Sequence, residues 1–197
     1  MIKYIFILLF EVLSLYSQQR YMLEADSLLH YTMIEVANSQ IGVQELTGNN
    51  DGKEIDEYQK LFNLKKQNYC AMGIYWSWWT ACSKVGISIM YIPIKKTAVA
   101  FQVFADAKKR GKKVKFGASI GDQLVWKYPD TWKGHTELIS NVGKNGNVTT
   151  VAFNSSGVGS QRNGKGVAQK KRNIHHPLGR MQLKGIVTFN YKRSDIL

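Results

Sequence analysis

Cys70 sits at a boundary in the chain. The turn-like stretch Lys65–Asn68 precedes it, and an apolar run from Cys70 to Val85, closed by Gly86, follows. The run has no period-2 alternation, so its texture predicts a buried helix over 70–85 with Cys70 in the first turn. A helix start gathers unpaired backbone N–H groups and the positive end of the dipole. Both stabilise a thiolate and a developing oxyanion. The second cysteine, Cys82, lies on the same run. At 1.5 Å per residue the two Cα atoms stand about 18 Å apart, whereas a disulfide needs roughly 4.4–6.8 Å. Two free thiols are therefore expected. Cys82 reads as a small buried residue, and Cys70 as either that or a nucleophile.

A nucleophilic thiol needs a base, and the base needs a group to orient it. The histidines are His30, His135, His175 and His176. His30 falls near the polar face of a predicted helix and reads as a surface residue. His175 and His176 lie in a basic loop with no Cys, Asp or Glu at ligand spacing, so no metal or other cofactor is expected there. His135 follows Gly134 and opens a predicted strand, where a base is held rigidly yet stays open to substrate. Strands 135–142 and 148–155 flank the turn "GKNGN" and predict a hairpin. With Asn141 opposite Val148, facing residue numbers sum to 289, and His135 faces Asn154. Asn154 is then the orienting group; the other reading makes it an ordinary turn residue of "FNSSG". Glu137 shares the strand face of His135 and either tunes the site or belongs to a polar rim.

The elements that must position these residues come in two blocks. Residues 22–41 carry Leu29, Met33, Val36, Ala37 and Ile41 at helical spacing, with Gly42 as a stop. "TGNNDG" at 47–52 is a turn cluster, and Ile55, Tyr58 and Phe62 mark one side of a short helix. Trp78 and Trp79 are adjacent, so only one of them can face the core of the 70–85 helix. Residues 98–110 predict another helix, closed by Gly111. From about 114 the texture becomes β-rich, with strands at 123–128, 135–142, 147–154 and 184–191. The basic, glycine-rich run 158–180 reads as loop with one or two short strands. Helices first and an antiparallel sheet second make an α+β chain, with a sheet of about five or six strands.

Charge and the chain start narrow the setting. The net charge is +13, but it is unevenly spread: residues 1–60 hold four Lys/Arg against nine Asp/Glu, and residues 61–197 hold 23 against five. A strongly basic second block suits an anionic partner. Lys3, the apolar Tyr4–Phe10 and the small residues up to Ser17 have the order of a secretory signal peptide, interrupted by Glu11. Residues 1–17 are thus expected to be an export segment and 20–197 a single domain. An exported chain without a recognisable nucleic-acid module is not expected to bind nucleic acid. No run is long and apolar enough for a membrane span.

The ordered motifs resemble one family. "ANSQIGVQELTGNNDGKEIDEY" (37–58), "NYCAMGIYWSW" (68–78), "GDQLVW" (121–126), "GHTELISNV" (134–142), "TVAFNSSG" (150–157) and "NGKGVAQKKR" (163–172) are similar, in order and spacing, to the cysteine, histidine-dependent amidohydrolases/peptidases (CHAP family) that cut peptidoglycan. The likeness spans roughly residues 35–190. It implies a papain-like α+β fold, with N-terminal helices packed on the sheet. It also implies a cofactor-free thiol hydrolase acting on the wall peptide, with Cys70, His135 and Asn154 as catalytic residues, in a monomer that is secreted or periplasmic and wall-associated. The chain departs at Ala152, where many members carry a glutamate. That departure keeps open a second reading, an exported wall-binding module of the same fold with little or no turnover.

Overall fold

The structure, a computed structural model, describes residues 19–115, 117–156 and 166–192. The export segment expected over 1–17 lies outside them, as do residues 157–165 of the glycine-rich run. Seven strands occur among the described residues: β1 (Gln19–Asp26), β2 (Lys112–Lys113), β3 (Gln123–Lys127), β4 (Gly134–Val142), β5 (Asn147–Ser155), β6 (Gly166–Asn173) and β7 (Gln182–Lys192). They form one sheet in the order β2-β1-β7-β3-β4-β5-β6, antiparallel throughout except for the parallel pair β1 and β7. Four helices accompany it: α1 (Ser27–Ser39), α2 (Lys53–Lys60), α3 (Cys70–Val85) and α4 (Ala100–Arg110). The architecture is α+β.

Several sequence expectations change in detail. The helix expected over 22–41 begins only at Ser27. Before it, Tyr21, Leu23 and Ala25 alternate inward along β1, which is a strand period rather than a helical one. Asp26 then keeps extended backbone and accepts the Leu29 N–H at 2.8 Å, a side-chain N-cap that fixes the start of α1. Ile41 lies past the helix end and is exposed. The sheet gains β1 and β2 beyond the expected strands. β6, within the run read mainly as loop, pairs along most of β5.

The helices cover one face of the sheet. Leu29 and Met33 of α1, Ile74 and Trp78 of α3 and Phe104 of α4 meet Val125, Leu138, Val151 and Phe153 of the strands in the main core. The opposite face carries a smaller core of Leu124, Trp126, Ile139, Val148, Ile174 and Ile186. Successive residues of β3 therefore serve different cores, Leu124 and Trp126 one, Val125 the other. Trp78 is fully buried, whereas Trp79 is partly exposed, as adjacent positions on a helix require.

His30 is a correction. It is buried rather than on the surface, stacked on Trp78 and in contact with the Phe189 ring. Its Nε2 lies 3.2 Å from the Gly121 carbonyl, which can only accept, so Nε2 carries the proton. Nδ1 then accepts from the Tyr191 hydroxyl at 3.1 Å. The turn that leads into β3 is too far along the chain from His30 to announce this partner. Burial pushes His30 down from 6.5 to about 4, the Gly121 bond only partly opposing it. Nearby Asp122, also buried, is pushed up from 3.8 to about 6 by burial, against hydrogen bonds from Thr188 and Ser119.

Two outcomes follow from this packing. A Cβ placed on Gly73 of α3 would lie 2.1 Å from the Phe153 ring, so Gly73→Ala must push α3 off β5. Urea unfolding should register a loss of about 1–3 kcal/mol, partly recovered by Phe153→Leu. The second concerns acid. His30 takes up protons more readily unfolded than folded, so its contribution falls as pH drops from 6.5 to about 4. Asp122 binds its proton more readily folded, so its contribution rises as pH drops from about 6 to 3.8. Each is worth about 3 kcal/mol and the two oppose each other. Asp122→Asn should therefore lose stability relative to wild type as pH falls from about 6 to 3.8, as read by urea midpoints.

Candidate active site

The approach to Cys70 is held by one buried amide and two partly exposed carboxylate side chains. Gln59 of α2 is fully buried; its Nε2 donates to the Asn50 carbonyl at 2.7 Å, and its Oε1 accepts the Gln67 N–H at 2.8 Å. One side chain thus ties the 46–52 turn to the segment leading into α3. Glu45 accepts the Asn50 N–H at 3.0 Å and the Tyr69 hydroxyl at 3.3 Å. Asp51 closes the turn on Thr47, accepting its N–H at 2.9 Å and its hydroxyl at 2.7 Å. The "TGNNDG" cluster is a self-capped turn that braces the residue before the cysteine.

α3 begins at Cys70, as its sequence predicts, and no side chain caps its start. The Cys70 sulfur instead faces the backbone N–H groups of Ala71 and Thr136 and the imidazole of His135. Burial alone would raise this thiol. The imidazolium and the two N–H groups outweigh burial and hold it below its ordinary value. His135 stands in the mirror situation. Burial alone would lower it, but the thiolate and Glu137 outweigh burial and raise it. The pair is thereby poised as thiolate and imidazolium. Cys82, by contrast, is pushed up by burial, and both cysteines are free thiols.

The group on the other side of the imidazole is Glu137. Its Oε1 lies 3.1 Å from His135 Nε2, which leaves Nδ1 as the ring nitrogen for the sulfur. The carboxylate is fully buried and saturated with donors. Arg172 Nη2 donates to Oε1 at 2.7 Å, Arg172 Nε to Oε2 at 3.0 Å, and the Thr150 hydroxyl to Oε2 at 2.5 Å. Burial would raise Glu137, but His135 and Arg172 hold it well below the usual carboxylate range. The Trp126 ring lies nearly parallel to the imidazole, 6.4 Å away between centroids.

Asn154 stands differently from the expectation. Its backbone is left-handed, with φ of 53°, and its Oδ1 is buried without a hydrogen-bond partner. The expected pairing of Asn141 with Val148 is displaced. Leu138 faces Val151 and Ile139 faces Thr150, which keeps the sum of 289, but a bulge then places Asn141 opposite Thr149. A second irregularity between Phe153 and Ser155, in the β5–β6 pairing, falls on Asn154 itself. Continuing the 289 register by one residue puts Ala152 opposite Glu137. Glu137 stands on β4 two residues after the histidine. That i, i+2 spacing was the sequence signal for Glu137; nothing in the sequence pointed to Arg172 or Thr150. His175 and His176 are exposed, and no group of three or more His, Cys, Asp or Glu among the described residues could hold a metal ion.

The opposed environments of the two thiols set an expectation. At about pH 6, limiting iodoacetamide should modify Cys70 well before Cys82, as read by peptide mass mapping, and His135→Ala should remove that preference. Comparisons with models of known families, with curated proteins and with solved structures return no match to this chain.

Proposed function

We propose that this protein is a cysteine-dependent hydrolase that cleaves an amide bond of the peptidoglycan peptide. The observation that carries the reading is the relay Cys70–His135–Glu137, a thiol at an uncapped helix start facing an imidazole that is held from behind by a buried carboxylate. The choice of peptidoglycan rests on the motif resemblance and on a basic second half suited to an anionic polymer. The same resemblance supports a papain-like arrangement and a secreted or periplasmic, wall-associated monomer. No helix among the described residues is long and apolar enough to cross a membrane.

The chemistry follows from the geometry. The Cys70 thiolate attacks the amide carbonyl, and the developing oxyanion draws on the N–H groups of the α3 start. His135 gives its proton to the leaving amine, which leaves a thioester on Cys70. The neutral imidazole then takes a proton from water as it attacks the thioester, releasing the acid and restoring the pair. Glu137 keeps Nε2 protonated and the ring oriented through both steps. Asn154 does not share this work through His135, because its Oδ1 has no partner. The alternative of an inactive wall-binding module drew on Ala152; a carboxylate at Glu137 favours turnover.

The test is lysis of purified peptidoglycan, followed by turbidity or dye release. Cys70→Ala and His135→Ala should abolish activity, and Glu137→Gln should lower kcat by about 10²–10⁴-fold. Asn154→Ala should cost less than Glu137→Gln. Lysis that survives Cys70→Ala rules out the thiol mechanism, and mass spectrometry of the fragments from active protein identifies the bond.

A further inference from the structure

Four ionisable groups from three elements form a line: Cys70 of α3, His135 and Glu137 of β4, and Arg172 of β6. The sulfur faces the imidazole, the imidazole bonds Glu137, and Glu137 takes two guanidinium nitrogens. In the reactive state their charges alternate as thiolate, imidazolium, carboxylate and guanidinium, and sum to zero. Arg172 reaches Glu137 across β5, whose Thr150 and Ala152 are small residues lying between the two outer strands. β5 itself carries no ionisable side chain. The one ionisable residue of β3, Lys127, lies over the Phe101 ring, Lys170 of β6 donates to the Ser156 carbonyl, and His175 packs against the Gly146 turn. Among the described residues, Arg172 is therefore the cation that meets the buried carboxylate on the side away from the His135 imidazolium.

We propose that Arg172 is a positioning residue: its fork fixes Glu137 against His135 and balances the buried chain of charges, and so sets how far into acid Cys70 stays a reactive thiolate. The proposal rests on Cys70 being the nucleophile of the reaction above. Without the guanidinium, the remaining thiolate, imidazolium and carboxylate carry a net negative charge in a site where uncompensated charge is costly. The site then takes up a proton at higher pH. A proton on the sulfur ends the pair outright; a proton on Glu137 leaves the thiolate and imidazolium in place but takes away the carboxylate charge that holds the imidazolium, so the pair persists less far into acid.

The experiment measures the rate of Cys70 alkylation by iodoacetamide from about pH 4 to about pH 9 on the full chain, with peptide mapping to separate Cys70 from Cys82. Arg172→Gln should move the acid limb up by about one pH unit, which is about a tenfold lower rate on the acid side. Arg172→Lys keeps the charge but loses the fork, so it should move the limb in the same direction by less. Lys171→Gln, the same charge change at an exposed neighbour, should leave the profile in place. A folded Arg172→Gln protein with the wild-type limb overturns the proposal. If that variant does not fold, a folded Arg172→Lys protein with an unmoved limb overturns it instead. A purely structural role would lower the amount of folded protein without moving the limb. Alkylation needs no wall substrate, so a wrong choice of peptidoglycan leaves this result unaffected, and a flat wild-type alkylation profile overturns the proposal while lysis is judged by itself.

Discussion

The buried carboxylate of Glu137 is the constraint on which the rest of the site depends. A charged group with no exposure is tolerable only when its acceptor positions are filled by donors and its charge is compensated. Here three strands contribute. β4 brings the carboxylate and the imidazole, β5 a hydroxyl, and β6 a guanidinium. The cost of leaving Glu137 unpaired is therefore a force that fixes the mutual register of β4, β5 and β6 at the end where the chemistry lies. A pair of hydrophobic residues could pack as well, but it could not hold an imidazole in one tautomer.

The nucleophile is positioned by a different kind of contact. α3 lies on β5 so closely that Gly73 meets the Phe153 ring with no room for a side chain. Behind it, Trp78 and Ile74 lock the helix into the main core. Ahead of it, Gln59 and Glu45 tie down the approach through the 46–52 turn. Packing thus fixes the axis of α3, hydrogen bonds fix its first turn, and the thiol meets an imidazole whose place is set independently by the strands. The small-residue contact explains how the sulfur of a helix reaches the mouth of a sheet.

Away from the site, His30 and Asp122 show how the same physics is used without chemistry. Each is an ionisable group pushed toward its neutral form by burial, and each is hydrogen-bonded to the turn that leads into β3. A helical wheel puts His30 near the polar side of α1, since it takes no account of the β7 residues Phe189 and Tyr191 that close over it. Tertiary contacts decide burial wherever a helix is covered on more than one side.

The α+β texture, the helix starting at Cys70, a strand at His135 and the separation of the two cysteines were legible in the sequence. They depend on local quantities: hydrophobic period, turn residues and the rise of a helix. Even Glu137 was visible as a neighbour of His135 on one strand face. That Glu137 rather than Asn154 meets the imidazole was not legible, because an ideal hairpin register contains neither the left-handed backbone at Asn154 nor the irregularity there in the pairing with β6. Arg172 was out of reach altogether. It lies 35 residues from Glu137 in a run that reads as loop with one or two short strands of unassigned partner, and only the pairing of β6 along β5 brings it to the carboxylate. Local periodicity placed the nucleophile and the base; long-range strand pairing selected which charged groups surround them.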